Sequence, residues 1–328
     1  MFSPQEFQII TTLAYSAQFE FPLTITEIEQ NLVSVQESGA LVKKLKISHR
    51  IASFNNLKTS QLKSAEIKLI LRQLLNQGIV AQYQNYYCLS ANLKTHKIKQ
   101  LVESRLNKQK IARQLRRETK QIVSLVKKIS GVLAVGLTGA VVFNNAEPDA
   151  DLDLIVIAKK NRLWLTRLIV LWRSLLLGKK NLFRQGKKDH WCFNLWLAQE
   201  ALALPKTKQN FYNALEASHI DWFYDPLKIK SSFYQSNRWL ETYLANFKIK
   251  QSSVREPAPD QNYQFVLDTI NQFVFALERH HLNRKNSIPQ HNLSLEQAFL
   301  HDDMSYKIFM RNWQQQVKQV FSQGVVKL

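Results

Sequence analysis

The most constraining stretch of this chain runs over residues 132–157, where two apolar runs flank a glycine turn and a pair of aspartates. Residues 132–137 are short, apolar and rich in valine, which predicts a buried strand. Thr138-Gly139 predicts a tight turn into a short helix, and Asp151-Leu152-Asp153-Leu154-Ile155-Val156-Ile157 predicts a second strand. Side chains alternate along a strand, so Asp151 and Asp153 share one face while Leu152 and Leu154 take the other. Two carboxylates so placed repel unless a cation lies between them, which is the arrangement a Mg²⁺ site needs. Gly139 has no Cβ, so the backbone N–H groups of its turn can approach a phosphate. The plain alternative is a surface strand with two solvated aspartates.

This pattern resembles the active-site signature of the DNA polymerase beta-like nucleotidyltransferase superfamily, a Gly-Ser turn followed by Asp-hydrophobic-Asp-hydrophobic on a strand. Gly139 matches the glycine, and Asp151 and Asp153 match the metal-binding pair, while Ala140 stands where the pattern has a serine. The resemblance implies Mg²⁺ or Mn²⁺ as cofactor and a nucleoside triphosphate as substrate. The implied reaction moves a nucleoside monophosphate to an acceptor hydroxyl and releases pyrophosphate. It implies Asp151 and Asp153 as catalytic metal ligands, with Thr138, Gly139, Ala140 and Asn145 around the triphosphate and Lys159 and Arg162 assisting. In this superfamily a third carboxylate usually sits on the strand after the next helix. Residues 191–197 read as that strand, and the position falls at Asn194. An amide can offer an oxygen to a metal but cannot accept a proton as a base. Asp189 and Glu200 flank the strand as replacements.

Further segments carry a wider resemblance. Leu23-Thr24 and residues 161–168, 192–197 and 203–205 are similar to a group of bacterial proteins, found largely among candidate-phyla bacteria. These join a winged-helix-like N-terminus to a nucleotidyltransferase domain. The expected fold class is therefore α+β and multidomain, in three parts. Residues 1–93 form a winged-helix-like module; residues 94–204 form a basic linking helix and a nucleotidyltransferase core, a small mixed sheet with flanking helices; residues 205–328 form a helical domain.

Within the first part, residues 4–17 have helical spacing, and Thr24 with Glu27 predicts a capping box. Residues 38–63 show no clear period and read partly as loop. Ser64 is expected to cap an amphipathic helix, Gly78 to end it, and residues 79–89 to form a hairpin. Residues 94–128 hold 12 Lys/Arg against two acids, on one long helix or two broken near Asn107. Residues 163–177 predict a helix, and 179–188 a basic loop that either closes over a triphosphate or is plain surface. Residues 209–218, 263–282, 292–301 and 306–321 are expected as helices, and 251–260 as a linker. The scattered histidines His280, His281, His291 and His301, with Asp302 and Asp303, fit no compact ligand motif.

Charge is unevenly placed. Of the net +20, residues 1–94 contribute +3 (nine basic, six acidic), residues 95–188 contribute +15 (21 and six), and residues 189–328 contribute +2 (15 and 13). Three quarters of the excess thus surrounds the glycine turn, and such a field concentrates polyanions, whether a triphosphate or RNA and DNA. Ala140, Asn194 and the basic helix also support a second reading: a catalytically impaired protein of the same fold that binds nucleic acid as a regulator. Cys88 and Cys192 are the only cysteines and suggest no disulfide framework. The first residues lack the pattern of a signal peptide, and residues 163–177 are too short and too basic to span a bilayer. The expectation is a cytoplasmic protein with no membrane partner; nothing in the sequence fixes an oligomeric state.

Overall fold

The computed structural model describes residues 1–52, 61–93, 97–176, 191–249, 264–284, 289–300 and 304–323. Its architecture is mixed α+β, with eleven α-helices, a two-stranded sheet and a five-stranded mixed sheet among those residues.

The N-terminal part begins with α1 (Pro4–Ala17), α2 (Ile25–Gln30), α3 (Val35–Leu45) and α4 (Ser64–Asn76), followed by the hairpin β1 (Val80–Tyr83) and β2 (Tyr86–Leu89). Both capping boxes that open α1 and α2 are closed reciprocally, Ser3 with Glu6 and Thr24 with Glu27. Two details depart from the sequence expectation. Residues 38–45, within the stretch 38–63 read as partly loop, belong to α3, because Ser34 accepts the Glu37 N–H and starts the helix despite Gly39 inside it. Ser64 is the first helical residue of α4 rather than its cap; its hydroxyl goes to Glu29, and the Glu66 carboxylate accepts the Lys63 N–H at 2.8 Å instead.

Helix α5 (Ile98–Val126) is unbroken through Asn107. It ties the N-terminal part to the glycine-turn region. Arg105 is buried, donates to the Pro22 carbonyl and Glu27 carboxylate, and lies over the rings of Phe21 and Tyr86 at 4.1 and 4.6 Å. Further along the same helix, Arg116 donates to the Val142 carbonyl at 2.9 Å and to Asn144 Oδ1 at 3.0 Å.

The large sheet has the order β6-β3-β4-β5-β7, built from β3 (Val132–Thr138), β4 (Leu152–Ala158), β5 (Trp191–Ala198), β6 (Asp221–Tyr224) and β7 (Gln297–Phe299). Only β4 and β5 are parallel, and α6 (Leu163–Leu176) lies between them in sequence, as a parallel crossover requires. Both sheet faces are covered. Leu154 and Val156 point into one core, with Trp164 and Val126, while Ile155 and Ile157 point into the other, with α1, Phe211 and Trp313. Asp153 has the parity of Ile155 and Ile157, so it faces the N-terminal part.

Both outer strands come from beyond residue 204, so the sheet crosses the boundary expected there, and residues 205–328 are not purely helical. Helices α7 (Phe211–Ser218), α8 (Ile229–Ser236), α9 (Leu240–Tyr243), α10 (Gln264–Arg284) and α11 (Met304–Gln323) complete the chain. Residues 292–301, expected as a helix, instead supply β7, whose Gln297–Phe299 pair with β5 as an antiparallel edge. The Trp313 indole of α11 donates to the Thr11 carbonyl of α1 at 2.8 Å, closing the N-terminal core. The expected basic loop at 179–188, the linker at 251–260, and Asp189, His301, Asp302 and Asp303 lie outside the described residues.

Candidate functional site

The site forms where β3 ends and β4 begins. Thr138 pairs with Asp153 across these strands, and the chain then turns at Gly139 with φ +73°, a left-handed value that favours glycine. A Cβ at Gly139 would run into Asp153 Oδ2, so the absent side chain is what lets that carboxylate lie against the turn. No helix follows, contrary to expectation. Residues 140–144 instead make hydrogen-bonded turns, with the Val142 N–H on the Gly139 carbonyl (3.1 Å) and the Asn145 N–H on Ala140 (3.0 Å). Asn144 takes φ +57°, and Arg116 holds this turn from α5. Without a helix, no helix dipole is directed at an incoming phosphate.

Asp153 has a hydrogen-bond donor on one side and a second carboxyl on the other. The Asn194 side-chain amide donates to Asp153 Oδ1, from β5 beside it. From α7, the Glu216 carboxylate accepts the Gly139 N–H at 3.1 Å. Asp151 lies just before β4 and adds a third carboxyl group. Burial, then Glu216, then Asp151 push the Asp153 carboxyl up to about 8, against the Asn194 hydrogen bond. Burial pushes Glu216 up to about 7, with the Gly139 N–H opposing. Burial and the Glu216 and Asp153 carboxylates hold the Tyr212 hydroxyl well above its usual range. Cys192, near Asn194 Oδ1, is pushed up to about 12 by burial and by Asp153 and Asp151.

Two cavities open on this cluster. One, of about 240 Å³, lies between the Gly139 turn, α1 and α11; it is lined by Ala140, Asn145, Asp153 and Glu216 and walled by Tyr15, Phe143, Phe211 and Phe309. The other, of about 300 Å³, is reached past Thr138, Asn194 and Lys208. Tyr212 and Glu216 line both.

The structure thus brings Asp151, Asp153, Asn194, Thr138, Gly139, Ala140 and Asn145 together. It does not bring Lys159 or Arg162. Lys159 follows the far end of β4, about 20 Å along a seven-residue strand from Asp153, and its N–H donates to Gly131, before β3 begins. Arg162 is buried against Asp268 of α10. Glu200, expected as a replacement acid, accepts the Asn161 N–H at that same far end. The residue that sequence reasoning missed is Glu216. Its signal was a lone acid in the otherwise apolar or neutral helix FYNALEAS, one turn after Tyr212.

Among the described residues, no group of three or more His, Cys, Asp or Glu is arranged to hold a metal ion by itself. No protein-family model, no curated protein and no solved structure matches the chain.

Proposed function

We propose that the chain is a Mg²⁺-dependent nucleotidyltransferase whose third carboxylate is Glu216. The observation that carries this reading is the convergence of the partly buried Asp153 and Glu216 on the two sides of Gly139, with Asp151 adjacent. Three carboxylates in so small a volume are costly as anions, and a cation there relieves all of them. Mg²⁺ takes one or two protein carboxylates and completes its shell with substrate phosphates and water, so a full protein cage is not required. Asp151 and Asp153 would hold it, and a bound ion would supply charge neutralisation for the triphosphate. The nucleobase fits the aromatic-walled cavity between Phe143, Phe211 and Phe309, where ring stacking is favoured.

Glu216 then takes the part that Asn194 cannot. The Glu216 carboxylate, oriented by the Gly139 N–H, is placed to accept a proton from an attacking hydroxyl. The acceptor oxygen bonds to the α-phosphorus, its proton passes to Glu216, and pyrophosphate leaves. Asn194 positions Asp153 through its amide.

The test is incubation with each α-labelled nucleoside triphosphate, Mg²⁺ or Mn²⁺, and cellular RNA and protein. Label transfer with pyrophosphate release, lost in Asp151→Asn and Asp153→Asn, is the expected result. Transfer retained in those variants would overturn the metal assignment.

One observation favours a second reading, a nucleic-acid-binding regulator without turnover. The Gly139 N–H, the donor expected to meet phosphate, is already taken by Glu216. In addition, Lys110, Arg113, Arg117 and Lys120 are exposed at helical spacing along α5, which suits a phosphate backbone. Tight, salt-sensitive binding of RNA or DNA with no transfer from any nucleotide supports that reading.

A further inference from the structure

The aromatic-walled cavity of about 240 Å³ draws its lining from two parts of the chain. Gly139, Asp153 and Glu216 come from the carboxylate cluster, while Thr12, Leu23 and Asn31 come from the N-terminal part. A nucleotide with its phosphates at the carboxylates would carry its base toward Thr12 and Asn31.

Two asparagines on this lining carry an unmet acceptor. Asn31 Oδ1, where α2 ends, and Asn145 Oδ1, past the Gly139 turn, are both buried, and neither has a hydrogen-bond partner among the described residues. Hydroxyls on the same lining are engaged. Thr12 Oγ1 donates to the Gln8 carbonyl at 2.7 Å and accepts the Val33 N–H at 3.1 Å, and Ser16 Oγ donates to the Leu13 carbonyl at 2.9 Å. Both asparagine backbones are anchored, the Asn31 N–H on the Glu27 carbonyl at 2.9 Å and the Asn145 N–H on the Ala140 carbonyl at 3.0 Å. A buried acceptor without a donor is costly, and on the wall of a cavity it points to a donor that a ligand supplies.

We infer that the ligand is an adenine nucleotide, with Asn31 reading the exocyclic amine of the base and Asn145 taking a ribose hydroxyl. This rests on the transferase reading for a nucleotide in the cavity, but not on transfer taking place. An amide oxygen accepts the amine N–H of adenine or cytosine and repels the carbonyl oxygen that hypoxanthine, guanine and uracil present at the matching edge. The amide nitrogen beside it can donate to a ring nitrogen, the pairing that side-chain amides make with adenine. Between the two amino bases, the walls Phe143, Phe211 and Phe309 favour the larger stacking face of the purine. Asn145 follows the Gly139 turn, at the phosphate end, where the sugar of such a nucleotide lies and offers O–H donors. The N-terminal part then acts as the selector of the nucleoside.

Titration calorimetry of the full chain with free nucleosides, without metal or phosphate, tests this. Adenosine is expected to bind roughly tenfold or more tightly than inosine, in which a carbonyl replaces the amine, and more tightly than cytidine. Asn31→Leu is expected to bring adenosine down to the inosine level. The same variant removes an unmet buried acceptor, so its thermal unfolding temperature should not fall below that of the wild type. Asn145→Ala is expected to bind adenosine and 2′,3′-dideoxyadenosine alike, where the wild type prefers adenosine. Equal binding of adenosine and inosine by the wild type, a preference for cytidine, or no binding of any nucleoside overturns the inference. So does an undiminished preference for adenosine in Asn31→Leu. Adenosine selectivity governed by Asn31, with no label transfer from ATP, leaves the inference standing and removes the transferase. Transfer from all four nucleoside triphosphates alike, with no nucleoside preference, does the reverse.

Discussion

Glu216 accepts the Gly139 N–H at 3.1 Å across 77 residues of chain. That single contact places a third carboxylate beside Asp153 from an element the strand–turn–strand signature does not contain.

Removing only the charge tests what this carboxylate does. Glu216→Gln keeps an oxygen for the Gly139 N–H, so the fold should survive intact by circular dichroism. Label transfer should fall by about 10²-fold or more, the usual range for a lost general base. Transfer at the wild-type rate would remove Glu216 from the chemistry and leave it a structural acid.

The partly buried carboxylates predict how stability follows pH without added metal. Asp153 rises from 3.8 to about 8 and Glu216 from 4.5 to about 7 on folding. The folded chain therefore binds protons that the unfolded chain has released, and stability falls as pH rises from about 4 toward about 8, then levels. Thermal unfolding temperatures in a chelator should decline across that window. Asp153→Asn should flatten the decline, and an unchanged slope in that variant would contradict it.

Gly139 is under two constraints at once, its positive φ and the Asp153 carboxylate in the space of a Cβ. Gly139→Ala should cost about 1–3 kcal/mol of stability from the backbone alone. It should also push Asp153 off the turn, lowering transfer more than the stability loss accounts for. Denaturant unfolding and label transfer on the same preparation separate the two effects.

Arg105 predicts a larger loss far from the site. Arg105→Met strips the partner from Glu27 and the donor from the Pro22 carbonyl while retaining some contact with Phe21 and Tyr86. Breaking one side of such a buried pair costs about 3–5 kcal/mol. Urea midpoints of the single variant and of Arg105→Met/Glu27→Leu measure it, with the double variant expected to recover part of the loss.

What could be read from the sequence was local. The strands around Gly139 announce themselves because both are apolar on consecutive positions, as strands buried on both faces must be. The capping box at Thr24, the long run of α5 and the hairpin of β1 and β2 arise from short-range patterns. Asn194 was reached by alternation along a single strand. Glu216 was not reachable this way: it meets Gly139 only after the chain has passed through β5 and returned along α7. The edge strands β6 and β7, four and three residues long, are too short to show a period of two. Helix α3 was hidden by Gly39, which breaks an apolar pattern without breaking the helix.

The Trp313–Thr11 bond has a consequence for how such a chain is made. Helix α1 leaves the ribosome some three hundred residues before its partner Trp313, and one margin of the central sheet arrives only with Gln297–Phe299. During synthesis the side of α1 that meets α11 must wait, with Phe7 lacking its ring neighbour Phe321, a state that invites chaperone capture. Contacts this distant along the polypeptide also slow folding once synthesis ends.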